Sequence, residues 1–313
     1  MKNRTIIILP VLVLLLAQGC SRETAEEKLH RRIENLVNEV RADSLESYVN
    51  WLEEMGTRFC LAENRREVAV KIMNRLKGFG YNTARLDSFF IERIWQENSY
   101  AMWQYNVVAT LPGTAPAEEI SILGAHYDNY SRSGDPFVIA PGAHDNGSGV
   151  AALMEIARIM KQEDYRPSAT IEFVAFGAEE MGLYGSWDYA GKLSASGKKV
   201  RMMLNNDMIA YEPSSGNTGW LVNIINYPSS VSLLGEAREV CDKFTILGNY
   251  TDNTHQAHSD SYPFAENGFP ALFFYSGTED PYYHTESDLA SNLNFEYCSE
   301  ITGLCCALLV WMD

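Results

Sequence analysis

The chain has 313 residues, 46% of them hydrophobic and 21% charged, with a formal net charge of −16. That length and apolar content suit one large buried core, or at most two modest ones, rather than a disordered chain, and the acidic balance argues against nucleic acid as a partner. The acidity either favours cationic peptides and free amines or serves only to keep the protein soluble.

Residues 1–20 read as a lipoprotein-type signal peptide: Lys2 and Arg4, the apolar run Ile6 to Ala17, then small residues and Cys20. The run is shorter than the roughly 20 residues that span a bilayer. Gly19-Cys20 resembles a bacterial lipoprotein cleavage site, so the expected location is a bacterial cell envelope, with the protein lipid-anchored on Cys20, periplasmic or secreted. Membrane contact is expected only through that lipid, and the protein is expected to be a monomer. Cys60, Cys241, Cys298, Cys305 and Cys306 have no metal-ligand spacing and are odd in number, which suggests core residues or one optional disulfide.

Residues 21–55 read as an N-terminal helical arm packing on a catalytic domain over 56–313. Leu29, Ile33, Leu36, Val37 and Val40 recur at helical spacing, and Ser44 is the expected N-cap of a second helix. A helix over 64–78 stops at Gly78 and Gly80. Strands over 81–91 and 105–111 follow, the second ended by Pro112-Gly113. An apolar strand over 120–125 leads to the glycine-rich turn Gly142 to Gly149, and Val150, Leu153, Met154, Ala157 and Met160 mark the helix after it. The run 169–176 lacks alternation, as a strand buried on both faces does. A short helix over 181–193, strands over 200–204, 220–225 and 270–275, and helices over 230–243 and 295–312 complete the chain. There is no repeat and no linker. The expected fold is α/β: a single-domain three-layer sandwich whose central, mostly parallel, twisted sheet carries helices on both faces.

Ligand-type side chains fall where the strands end: His126 and Asp128, Asp145 in the glycine-rich turn, the pair Glu179-Glu180, Asp207, and His284 after the last strand. Open α/β sheets keep their ligands at the carboxyl ends of strands. Several acids meeting there repel one another unless cations or protons neutralise them. Two histidines, two aspartates and one glutamate suit zinc, with manganese or cobalt as alternatives. One carboxylate can bridge two ions that share a water, and Glu179 is then the spare acid that takes the water's proton as general base.

The order His126-Tyr127-Asp128, Pro141 to Gly149, Ala178 to Ser186, Asn205 to Met208 and His284 to Asp288 strongly resembles the M28 metallopeptidases, the co-catalytic zinc aminopeptidases, over about residues 56–312. The resemblance implies two Zn2+ ions per chain, with Asp145 bridging both, His126 and Asp207 completing one, and Glu180 and His284 completing the other. It implies that Glu179 is catalytic, activating a metal-bridging water and later protonating the leaving amine, and that Asp128 orients His126. It also implies a cis peptide after Asp145. Tyr283 is a candidate donor to the tetrahedral oxyanion or a packing residue of the cleft wall. His144 stands where the aminopeptidases often carry an acid, and is either a supporting donor or a rival ligand. His255-Gln256-Ala257-His258 has a spacing that could bind metal on a helix, but the glycine and asparagine before it argue for a loop, and it reads as part of the cleft wall. Ser259-Asp260 resembles the family's Ser-Asp segment near the active site, with Asp260 a candidate to hydrogen-bond inside the cleft.

These residues imply a zinc-dependent exopeptidase acting on peptides with a free N-terminus. Phe137-Val138-Ile139 and Phe273-Phe274-Tyr275 are candidate walls of the side-chain pocket. The alternative is a glutaminyl-peptide cyclotransferase with a single zinc on the same fold, against which stand Tyr283, where the cyclases usually have tryptophan, and the aminopeptidase-like Ala178 to Ser186 block. A catalytically silent binding protein would have lost a ligand or the base, and none is missing.

Overall fold

The chain is described by a computed structural model covering residues 23–114, 119–214 and 216–313. The signal-peptide reading of residues 1–20 lies outside them. Eight strands form one mixed sheet: β1 (Arg85–Trp95), β2 (Asn98–Leu111), β3 (Glu119–His126), β4 (Thr170–Phe176), β5 (Lys199–Asn206), β6 (Leu221–Asn226), β7 (Gly248–Tyr250) and β8 (Ala271–Tyr275), in the order β1-β2-β4-β3-β5-β8-β6-β7. The central strands β4, β3, β5 and β8 run parallel, and antiparallel pairings join β2 to β4 and β6 to β8.

Alternate residues of the strands face two different cores. Val107, Ala109, Leu123 and Ala125 join the larger one. It is closed by α1 (Ala25–Val37), α2 (Ala42–Glu53), α3 (Arg65–Gly78), α4 (Ser148–Gln162), α6 (Val231–Phe244) and α8 (Phe295–Trp311). Val108, Ile120, Ile122, Val174 and Phe176 join the second, closed by α5 (Tyr184–Ser196) and α7 (Ser261–Glu266). Both faces are therefore dry, which is why β3 and β4 read as largely apolar runs without alternation, interrupted only by Ser121 and Glu172. The architecture is the single-domain, three-layer α/β sandwich that the pattern implied.

The N-terminal helices are built into this core. Thr24 and Glu27 form a capping box that starts α1, and Ile33 and Leu36 are buried. Ser44 is not the N-cap of α2; it lies within the first turn, and the N-cap position is Arg41. Arginine has no side-chain oxygen to cap with; instead Arg41's own backbone N–H donates to the buried Glu155 Oε1 of α4 at 3.1 Å. Arg158 completes the tie, bonding Glu155 through two nitrogens and donating to the Glu39 carbonyl.

Two further differences have local causes. The β1–β2 hairpin reaches Trp95 and Asn98, beyond the expected strand ends, and turns through Gln96 and Glu97, both at positive φ without glycine to announce it. The helix expected from 181 begins at Tyr184, because the amides of Gly182 and Leu183 both close a turn on the Glu179 carbonyl. The five cysteines at 60, 241, 298, 305 and 306 are buried and free, so no disulfide forms among them.

Candidate metal centre

Five of the expected ligand side chains converge at the carboxyl ends of β3, β4, β5 and β8. His126 ends β3, and its Nε2 lies 3.2 Å from Asp145 Oδ1 and 3.3 Å from Asp207 Oδ1. The other oxygen of Asp145 lies 3.0 Å from His284 Nε2, which is 2.9 Å from Glu180 Oε2. Asp145 thus stands between two groups of three, His126-Asp145-Asp207 and Asp145-Glu180-His284, each with donor atoms within 4.8 Å of one another. They open into a cleft of about 640 Å³ in which, among the described residues, seven acids and three histidines but no lysine or arginine line the wall.

The donor set fits zinc. Ligands about 2.0–2.1 Å from a tetrahedral ion stand roughly 3.3 Å apart, the separation seen around His126. His284 Nε2 sits close to two carboxylates yet is aligned for a hydrogen bond with neither, and Glu180 Oε1 is buried without a partner among the described residues. Such atoms are placed to share a cation. Electrostatics agree. Burial alone would lower the His284 imidazole, but Asp145 and Glu180 outweigh it and hold it up at about 10. Burial and the neighbouring Asp145 push the Glu180 carboxyl up to about 7. Protons crowd in where bound cations would take their place.

Several residues hold this arrangement. The chain passes through Gly142 at φ +51, and a side chain there would collide with the Asp145 carbonyl. The Asp145-Asn146 peptide is cis, as the resemblance implied. Asn146 Nδ2 donates to the Asn206 carbonyl at 2.9 Å, tying the turn to the end of β5. Gly149 lets that carbonyl approach, since a Cβ there would collide with it. Asp288 accepts the backbone N–H groups of His144 at 2.7 Å and Asp145 at 3.1 Å. Beneath the turn, the fully buried Arg58 donates to the carbonyls of Tyr127, Leu52, Pro141 and Gly142.

The expectation for Asp128 is corrected in one respect. His126 Nδ1 is held at 3.0 Å by the Asp128 backbone carbonyl, while the nearer carboxylate oxygen is 3.9 Å away. The carboxylate instead accepts the amides of Glu179 at 3.0 Å and Glu180 at 3.3 Å. Asp128 therefore aims His126 with its main chain and the paired glutamates with its side chain. His144 lies outside both groups of donors, its Nδ1 2.9 Å from Asp280 Oδ2.

Glu179 is buried beside the donors, its Oε2 4.0 Å from His126 Nε2. Burial, with Glu180, Asp260 and Asp207 nearby, raises its carboxyl well above the usual range despite His126. Tyr283 lines the cleft with its ring stacked 3.8 Å over His284. Asp260 is fully buried, and among the described residues neither carboxylate oxygen has a hydrogen-bond partner; burial pushes it up to about 7. Its neighbour Ser259 makes the contact with the donors, donating to Asp207 Oδ2 at 2.6 Å. Phe273 and Tyr275 line the cleft, as expected, but Phe274 faces the larger core. Phe137 packs against Phe59, Trp95 and Tyr100 instead, so the 137–139 wall is not part of the cleft. Sequence pattern did not single out Arg58, Asp288 and Ser259 as positioning residues. For Asp288 and Ser259 a signal was present, since both fall inside segments that resemble the family; Arg58 carries none.

Sheet and donor set together define an α/β protein with a candidate metal centre at its strand ends. The sequence pattern of peptidase family M28 matches residues 106–309, and the chain belongs to that family. Leucine aminopeptidase 1 of Trichophyton equinum is 35% identical over 206 residues, 63% of this chain and 55% of that one; the chain thus spans about half the length of that curated relative. Among solved structures, the fold is similar to a zinc aminopeptidase from Bacillus subtilis, with TM-score 0.72 and 18% identity, covering 86% of this chain and 94% of that one. It is also similar to a glutaminyl cyclase of Bacteroides thetaiotaomicron, with TM-score 0.67 and 17% identity, covering 87% and 98%. Both activities occupy this fold, so the fold alone does not choose between them. Curated relatives from Trichophyton, Arthroderma and Saccharomyces are fungal, which overturns the expectation of a bacterial cell-envelope protein. Among the described residues no helix is long and apolar enough to cross a membrane.

Proposed function

We propose that this chain is a zinc-dependent aminopeptidase that removes N-terminal residues from peptides and that it binds two zinc ions as a monomer. The observation that carries the reading is the shared Asp145: two complete groups of nitrogen and oxygen donors meet at one carboxylate, with Glu179 left over beside them. A single-zinc cyclase needs only one such group.

When bound, zinc supplies Lewis acidity to the scissile carbonyl and to an attacking water. The chain's residues do the rest. His126 and Asp207 form one side of the cleft floor and Glu180 and His284 the other, held in register by Asp145. Glu179 takes the proton of the attacking water at its carboxylate and passes it to the leaving amine. Tyr283, over His284, donates toward the developing oxyanion. The acidic lining attracts a substrate that presents an amine and repels one that presents a carboxylate.

Four measurements test this. Metal counting by mass spectrometry should give two zinc ions per chain, where a cyclase would give one. A leucine anilide should release free leucine, and a glutaminyl peptide should yield no pyroglutamate. Glu179→Gln should retain its zinc and lose at least about 100-fold in turnover; activity surviving that change would remove Glu179 from the mechanism. Light scattering checks the monomer.

A further inference from the structure

The rim of the cleft carries a second set of nitrogen donors that the catalytic reading does not use. His255 and His258 line the cleft mouth, both exposed, with their Nδ1 atoms 3.4 Å apart and their rings inclined at 60°. That separation is long for a hydrogen bond, whose usual N···O distance is about 2.9–3.0 Å. It matches the roughly 3.3 Å edge between two imidazole nitrogens on one tetrahedral zinc.

The turn that presents them is firmly built for an exposed segment. Asn223 in β6 pairs with the Asp252 backbone through both its amide atoms. Asn226 and Asn253 hold each other, Asn226 through its side chain and its backbone N–H. Asp252 caps the single turn Asn253–His255 by accepting the Thr254 N–H, and Tyr227 donates to the Gln256 carbonyl at 2.6 Å. The His258 N–H closes the turn on the His255 carbonyl, and the His255 ring sits edge-on to Tyr275. The backbone is already ordered, so only the two side chains lose freedom when the imidazoles take a common ligand.

We propose that His255 and His258 form a separate transition-metal site at the cleft mouth, which takes Zn2+ or Cu2+ on the two Nδ1 atoms with water completing the coordination. Two exposed imidazoles make a weaker site than the buried donors, so it fills only when zinc is in excess. An ion held there stands in the path of substrate entry, and its filling lowers activity chiefly by raising KM. Only this inhibition rests on the aminopeptidase reading; occupancy of the site stands apart from it.

Equilibrium dialysis against rising free zinc, with metal counted per chain, compares the full-length protein with the double variant His255→Ala/His258→Ala. The wild type should take up one zinc more per chain than the variant. With Cu2+ as the probe, paramagnetic resonance should show coupling to two imidazole nitrogens in the wild type that the variant lacks. Excess zinc should protect both histidines of the wild type from carbethoxylation read by mass spectrometry, which needs no variant. If dialysis gives equal zinc uptake by the two proteins, or if zinc leaves both histidines open to modification, no such site exists. If the uptake differs and the concentration of zinc that halves peptidase activity rises at least ten-fold in the variant, the site also governs entry. Uptake that differs while inhibition does not would remove the gating role and leave the metal site. Absence of any peptidase activity alongside normal uptake would count against the aminopeptidase reading and leave the rim site intact.

Discussion

At the scale of single residues, the precision of the candidate metal centre rests on groups that touch no donor atom. Asp288 uses one carboxylate to fix two consecutive amides, His144 and Asp145, and so sets where the shared aspartate stands. An asparagine there keeps the shape but offers one acceptor oxygen in place of two, so Asp288→Asn should release zinc 10–100-fold more readily in competition with a chelating dye, the range typical of residues that orient ligands. Unchanged retention would show that the turn holds itself. Arg58 supports the same turn from below. Its burial costs enough to bring the guanidinium down to about 10, and four carbonyls compensate. Replacing it by methionine strands those acceptors, each worth roughly 1–3 kcal/mol when buried unpaired. Arg58→Met should therefore lower the unfolding free energy by at least about 3 kcal/mol in a urea titration. The donor residues were legible in the sequence because histidines and acids that recur at successive strand ends seldom serve packing alone. Arg58 was not, since nothing local to Thr57-Arg58-Phe59 tells a buried arginine from an exposed one.

At the scale of elements, periodicity located the helices and the core strands, because burial on one face or two leaves a pattern in the sequence. It failed where burial does not decide. β7 has three residues, too few for any pattern, and α7 has six with Pro263 among them. The outer half of the β1–β2 hairpin is only partly covered, with Phe90, Ile94 and Trp103 exposed, and its turn uses Gln96 and Glu97 where asparagine and glycine are usual. A side chain at positive φ costs about 1–2 kcal/mol. Glu97, at φ 65, is exposed, so Glu97→Gly should raise stability by roughly 0.5–1 kcal/mol even after the unfolded chain gains freedom. An unchanged or lower melting temperature would mean that this turn is not left-handed at Glu97. Ser44 teaches the complementary lesson. A serine before an apolar run marks a helix start only when no partner elsewhere satisfies the first amides, and here Glu155 reaches across from α4 to the Arg41 N–H.

At the scale of the whole molecule, fold and centre depend on each other through charge. The chain carries a net charge of −16, and its cleft concentrates acids with no described lysine or arginine to offset them. In the unfolded chain these carboxylates separate into water; folding brings Asp145, Glu179, Glu180, Asp207 and Asp260 together out of solvent, and burial raises the carboxyls of Glu179, Glu180 and Asp260. Bound cations would repay that cost. A ligand held by the folded state alone stabilises it by about 2.7 kcal/mol when its concentration is 100 times its dissociation constant, so two zinc ions at that saturation add roughly twice as much. Stripping zinc with a strong chelator should then lower the melting temperature by several degrees at least, on the scale of about 2–4 °C per kcal/mol or somewhat less for a chain of this size. Zinc added back should restore it, and Asp145→Asn should abolish most of the difference between the two states because it weakens both groups of donors at once. A melting temperature indifferent to chelation would mean that the protein tolerates its clustered acids unaided, and the case for resident metal would fall with it.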